Sequence, residues 1–250
     1  MIEVKNINKS FADKKVLNNF SGYFETGKMN LIIGKSGSGK TMAVKCMLGL
    51  FSVDSGDILF NGRDFINISE YEKTKIRQEI GMVFQGGALF DSMTIEDNIM
   101  FPLKMFSGLN VIDMIDRVNF CLNRVNLKNV NTLFPSELSG GMQKRVAIAR
   151  AIALKPKYLF CDEPNSGLDP STATVIDNLL KEITYEYNIT TVINTHDMNS
   201  VMEIGDNIVY IEDGKKEWEG DNRNFLSSGN KKLNEFIFSS KLFKKLKSAI

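Results

Sequence analysis

Eight residues, Gly34-Lys35-Ser36-Gly37-Ser38-Gly39-Lys40-Thr41, follow the pattern G-x-x-x-x-G-K-[ST]. The chemistry this pattern permits is phosphate binding. Backbone N–H groups wrap phosphate oxygens only where no Cβ blocks the approach, and the glycines supply that freedom. Lys40 has the reach for β- and γ-phosphates, and the Thr41 hydroxyl can join a Mg²⁺ shell. A flexible glycine turn is the bland alternative, and the flanks argue against it. Leu31-Ile32-Ile33 before the loop is an apolar run of strand character, and Met42 to Leu48 after it reads as a helix. The positive end of that helix faces the anion. Two more places hold groups able to act on a phosphate. Asp162 and Glu163 close the apolar run from Tyr158, and His196, the chain's one histidine, follows Thr191-Val192-Ile193-Asn194-Thr195.

The elements that must position these groups alternate between strand and helix. Ile2 to Ile7 and Val16 to Phe24 have strand alternation, with Phe11 between them. Asp57 to Phe60 is a strand that turns at Asn61-Gly62, a strong hairpin signal. Glu70 to Glu79 reads as a solvated helix, and Gly81 to Phe84 as a short strand ending at Gln85. From Gly86 the texture becomes helical. Thr94 and Asp97 open a helix over Ile95 to Met100, with Pro102 as its stop. Val111 to Val125 places Ile112, Ile115, Val118, Leu122 and Val125 at helical spacing. Ser139 opens a helix to about Lys155, and Asp169-Pro170 caps another over Ser171 to Tyr187. Thr190 to Asn194 is strand-like, and Asn207 to Glu212 with Lys215 to Glu219 form a hairpin across Asp213-Gly214. The expected fold is α/β: a mixed, largely parallel core sheet, an antiparallel N-terminal part and an inserted α-helical lobe. The expected boundaries are one domain over 1–229, with its core in 1–85 and 156–229, the lobe at about 86–155, and an extension over 230–250.

Bulk composition narrows the function classes. Lysine and arginine number 31 against 30 acidic residues, so no net field recruits nucleic acid. Cys46, Cys121 and Cys161 are odd in number, far apart and without C-x-x-C spacing, which reads as reduced, mostly buried thiols rather than ligands or bridges. No apolar run reaches the ~20 residues of a membrane span. Met1 to Lys5 reads directly as strand, leaving no room for a signal peptide. The expectation is a chain soluble by itself, with a membrane partner still open.

Further stretches indicate which kind of phosphate chemistry is involved. Leu138-Ser139-Gly140-Gly141-Met142 resembles the signature of ATP-binding-cassette (ABC) ATPases, Leu159 to Pro164 resembles their Walker B strand, and Ser166-Gly167-Leu168-Asp169 their D-loop. Gln85 and His196 fall where the Q-loop glutamine and switch histidine fall. The resemblance covers almost the whole chain. It implies ATP and Mg²⁺ as ligands, with the metal at Thr41, Gln85 and Asp162. It implies nucleotide contacts over Gly34 to Met42, catalysis by Glu163 with His196, Gln85 and Lys40, and stacking of Phe11 on adenine. The alternatives are an ordinary solvated glutamate, a packed or surface histidine and a core phenylalanine. The resemblance also implies a homodimer in which Ser139, Gly140, Gly141 and Asp169 of one copy complete the ATP site of the other. The family usually has Gln where this chain has Met142, and a thioether cannot donate a hydrogen bond.

Gln85-Gly86-Gly87-Ala88-Leu89-Phe90-Asp91-Ser92-Met93 supports a narrower resemblance, to the ATPases of Mla-type phospholipid transporters. That implies a permease subunit contacting Gly86 to Met93, an MCE-type lipid-binding protein as an indirect partner, and a peripheral position on the cytoplasmic face of the inner membrane. An importer ATPase for amino acids or other small solutes remains an alternative, as does a signalling ATPase of the cell-division type. The last stretch interleaves lysines (Lys231, Lys232, Lys241, Lys244, Lys245, Lys247) with Leu233, Phe236, Phe243, Leu246 and Ile250, as a basic amphipathic helix does. Docking on protein and lying on an anionic membrane are the two readings, and docking is favoured.

Overall fold

A computed structural model of the chain describes residues 1–239. Its elements in chain order are β1 (Ile2–Phe11), β2 (Lys14–Phe24), β3 (Met29–Ile33), α1 (Lys40–Met47), β4 (Ser55–Phe60) and β5 (Arg63–Asp64). Next come α2 (Glu70–Gln78), β6 (Ile80–Val83), α3 (Ile95–Phe106), α4 (Val111–Arg124), α5 (Gly140–Ile152), β7 (Tyr158–Asp162) and α6 (Pro170–Glu186). The order finishes with β8 (Thr190–Asn194), α7 (Met198–Ile204), β9 (Asn207–Glu212), β10 (Lys215–Gly220) and α8 (Lys231–Ile237). The chain forms two compact units, one of Met1–Ile68 with the chain from Val192 onward, the other of Ser69–Thr191.

The first unit holds an antiparallel sheet in the order β2-β1-β4-β5. Asn61 and Gly62 both take positive φ between β4 and β5, as a type I′ turn requires. It also holds β10-β9-β3, where β3 runs parallel to β9 with Leu31 opposite Ile208, and β9 returns antiparallel into β10. All five residues of β3 are buried, the pattern of a strand covered on both faces. Helix α8 docks on this unit. Leu233 and Ile237 of α8 are buried, Phe236 stacks on Tyr210 at 5.3 Å, and Lys232 pairs with Glu217 at 2.7 Å. The lysines at 241, 244, 245 and 247, on which the amphipathic pattern also rests, lie outside the described residues.

In the second unit β6 and β7 pair in parallel, with Gly81 opposite Leu159. Only helices and a short 3₁₀ turn separate these two strands. Three local expectations fail here. Pro102 does not stop α3, which runs on to Phe106. A proline inside a helix costs about 3 kcal/mol. Ile95, Ile99 and Leu103 on one face are all buried, and each buried aliphatic side chain contributes roughly 1.5–3 kcal/mol. Packing therefore carries the helix through the missing N–H. In α4 the buried residues are Met114, Val118, Cys121 and Leu122, whereas Ile112 is 73 % exposed. The buried stripe passes through Met114, and position 112, two residues earlier, lies on the opposite side of the helix. The Ser139 helix, α5, ends at Ile152 rather than near Lys155.

Candidate active site

In the first unit β3 delivers the chain into the glycine loop. A Cβ on Gly34 would lie 2.2 Å from the Ile211 carbonyl oxygen, so a side chain there would collide with the backbone of β9. Gly39, at φ +108°, has no room either, since its Cβ would approach the Val16 oxygen to 2.9 Å. The β9–β10 turn fastens the loop to β2. Gly214 N donates to the Ser38 carbonyl, and Asn18 N to the Gly214 carbonyl, each at 2.9 Å. Lys40 is buried, and its Nζ donates to the Gly34 and Lys35 carbonyls at 2.8 and 3.0 Å. Ser36, Gly37 and Thr41 face solvent, Ser38 is buried and Met42 half-buried. The exposed Lys35 pairs with Glu212 at 2.9 Å, and that hydrogen bond raises its pKa.

No side chain caps α1. The N-terminus of α1 and the glycine cradle together suit the phosphates of a nucleotide. Thr41 Oγ1 accepts from Nδ2 of the buried Asn194 at 3.1 Å, which orients the hydroxyl. His196 is exposed just beyond β8, ahead of a turn in which Asp197 N donates to Thr195 Oγ1 at 3.0 Å. Phe11 is the last residue of β1, 42 % exposed, with its ring edge-on to Phe51 at 5.6 Å. That exposure removes the core reading of Phe11.

In the second unit Asp162 and Glu163 sit half-buried at the end of β7. Glu163 has φ +47°, a left-handed conformation that a non-glycine residue holds only at a cost of about 1–3 kcal/mol. Gln85 Nε2 donates to the Glu163 carboxylate at 3.1 Å and to Ser166 Oγ at 3.2 Å. Lys144 Nζ donates to the Gln85 carbonyl. Ser139 caps α5 by accepting from Met142 N at 3.3 Å. A Cβ on Gly141 would meet Thr172 Cγ2 at 2.7 Å, so the glycine lets α5 approach the start of α6. Asp169 caps α6 by accepting from Ser171 N and Thr172 N at 3.0 Å each. The Ser171 hydroxyl and then the Thr172 hydroxyl hold its carboxyl far below the usual carboxylate range. The structure thus gathers Gln85, Glu163 and Ser166 into one cluster, and Gly140 and Gly141 beside the Leu168–Thr172 turn.

Among the described residues no group of three His, Cys, Asp or Glu side chains is arranged to hold a metal. A hydroxyl such as Thr41, a carboxylate such as Asp162 and phosphate oxygens suit Mg²⁺, which keeps few protein ligands. Several residues of the site were missed by sequence reasoning. Asn194 closes a β-branched strand, and only its polarity in that run hints at a role. Lys144 and Arg150 look like ordinary helix cations. Asn98 is fully buried in α3, bonding Phe90 N, Phe90 O, Met93 O and Thr94 O within 3.2 Å. Gly86 to Met93, the expected permease contact, is held through its backbone by Asn98 and Arg150.

The sequence family described as ABC transporter matches residues 17–166. The intermembrane phospholipid transport system ATP-binding protein MlaF of Haemophilus influenzae is 38 % identical over 239 residues, covering 95 % of this chain and 90 % of that protein. The methionine import ATP-binding protein MetN of Clostridium tetani is 41 % identical over 217 residues, covering 86 % of this chain and 67 % of that protein. Among solved structures, the ATP-binding cassette MJ0796, in a dimeric post-hydrolysis state bound to ADP and Pi, has TM-score 0.81 and 32 % identity. That likeness covers 90 % of this chain and all of the other. Another, cbiO1 from Clostridium perfringens, part of the ABC transporter complex cbiONQ, has TM-score 0.85 at 27 % identity and covers 98 % of both chains.

Proposed function

The chain belongs to the ABC transporter family as one of its ATP-hydrolysing subunits, and we propose that it works as a homodimer driving a membrane permease in phospholipid transport of the Mla type. The observation that carries the permease contact is a groove of about 400 Å³ in the second unit. It is lined by Met82, Phe84, Ala88, Phe90, Phe101 and Arg150 among others. Phe90 is 40 % exposed and lies 5.0 Å from the Phe101 ring, an apolar anchor offered outward rather than committed to a core. A short apolar helix of a permease suits such a groove. The phospholipid assignment is supported by the MlaF likeness over nearly the full length of both chains. Residues 1–229 act as one ATPase domain in this reading, peripheral to the cytoplasmic face of the inner membrane. Among the described residues, no helix is long and apolar enough to cross a membrane.

The chemistry follows from residue type and setting. The loop N–H groups and Lys40 hold the phosphates, and Phe11 stacks on the adenine. Thr41, Asp162 and Gln85 would hold Mg²⁺, which would supply neutralisation of charge developing on the phosphates. Glu163, steadied by Gln85, orients the attacking water and takes its proton. His196 contacts the γ-phosphate. Ser139, Gly140, Gly141 and Asp169 serve the ATP of the second copy, so hydrolysis requires two chains.

Likeness to MetN favours a second reading, an importer ATPase for methionine or a similar small solute. The two separate when the chain is purified with its permease and reconstituted. Lipid transport predicts phospholipid co-purifying with the complex and stimulating its ATPase. Stimulation by an amino acid with its binding protein, and no bound lipid, favours import.

A further inference from the structure

The segment after β6 leaves its backbone carbonyls outside any sheet ladder, and carbonyls in a packed environment need donors. Two cations of α5 provide them. Arg150 forks onto the Gly87 and Ala88 carbonyls at 2.8 Å each, and Lys144 Nζ donates to the Gln85 carbonyl. Lys144 is only 7 % exposed, and burial lowers its pKa. A buried amine is costly without a good acceptor, and the Gln85 carbonyl supplies one. The same glutamine reaches Glu163 and Ser166 through its side chain. Lys144 therefore grips the backbone of the residue whose carboxamide touches the candidate base. It does so from the helix that Ser139 caps.

We propose that Lys144 is a positioning residue for ATP hydrolysis, clamping the Gln85 backbone to α5 so that the Gln85 carboxamide meets Glu163. The helix whose N-terminus serves the second copy's ATP is thereby tied to the carboxylate serving the chain's own. This rests on the roles given above to Glu163 and Ser139.

The test is a kinetic cycle on the full chain. Lys144→Met removes the amine while keeping most of the side-chain volume. It is expected to lower kcat about tenfold, the scale of one mis-set charge-assisted hydrogen bond. KM for ATP should stay within about twofold, because Lys144 is not assigned to the nucleotide. Lys144→Arg, which keeps a cationic donor, should recover most of kcat. In a Gln85→Ala background, Lys144→Met should cost nothing further, since its effect passes through that residue. Independent, multiplicative losses in the double variant would overturn the proposal, as would an unchanged kcat in Lys144→Met. If Lys144→Met melts below assay temperature, Lys144→Gln takes its place in the same cycle. Glu163→Gln in the same assay separates the two levels. If that variant turns over normally, the reading of the site fails. If it is dead while Lys144 and Gln85 act independently, only the clamp fails.

Discussion

The carboxamide of Gln85 donates to the carboxylate of Glu163 at 3.1 Å, joining residues 78 apart in the chain. The donor end of an amide cannot accept a proton, but it can hold a carboxylate in one orientation. With the left-handed backbone of Glu163, this makes the carboxylate a placed group rather than a freely rotating one.

Glu163→Gln keeps the size and hydrogen bonding of the side chain and removes its basic oxygen. The variant is expected to bind ATP, to turn over at less than about a hundredth of the wild-type rate, and to accumulate as an ATP-bound dimer. Single-turnover hydrolysis and size-exclusion chromatography with ATP check this. Turnover above about a tenth of wild type contradicts the assignment.

Lys40→Ala should weaken ATP binding itself, measured by nucleotide titration. Mixing Lys40→Ala chains with Ser139→Arg chains should restore partial activity. In a mixed dimer one site carries both lesions and the other is intact. No recovery on mixing, with a rate per chain independent of concentration, would mean that each chain hydrolyses alone.

Phe90→Ala should leave nucleotide binding intact and lower stability by less than the roughly 3–5 kcal/mol of a fully buried phenylalanine, because its ring is 40 % exposed. Permease binding should fall by about 2 kcal/mol or more if Phe90 is an interface anchor. A melting-temperature loss matching roughly 3–5 kcal/mol, with permease binding retained, would make Phe90 a core residue instead.

Asp169 is exposed, and its capping bonds depress its pKa in the folded state. A depressed carboxylate contributes stability that is fully present above its unfolded value, near 3.8, and is lost as pH falls through the lower folded value. Asp169→Ala should therefore lower the melting temperature at neutral pH, with the gap to wild type narrowing below about pH 4. Asp169→Asn, which still caps, should lose less. Thermal melts across pH 2–7 measure both, and a gap that does not change with pH would contradict the linkage.

By itself the sequence determined whatever depends on spacing along the chain. The glycine pattern of the loop, the caps at Ser139 and Asp169, the turns at Asn61-Gly62 and Asp213-Gly214 and the buried runs of β3 and β8 are all local choices of backbone and periodicity. The motif order was enough to place the chain among ABC ATPases. Only the tertiary structure decided contacts between distant residues. Lys144 and Gln85 are 59 residues apart, and Arg150 and Gly87 are 63 apart. Nothing in a helix pattern says which of its cations will be buried or which carbonyls it will find. The same holds for Asn98, whose side chain pins Phe90, and for Asn194 on the Thr41 hydroxyl. Pro102 shows the reverse case. A local stop signal was overridden because the apolar face of α3 buries more than one missing hydrogen bond costs.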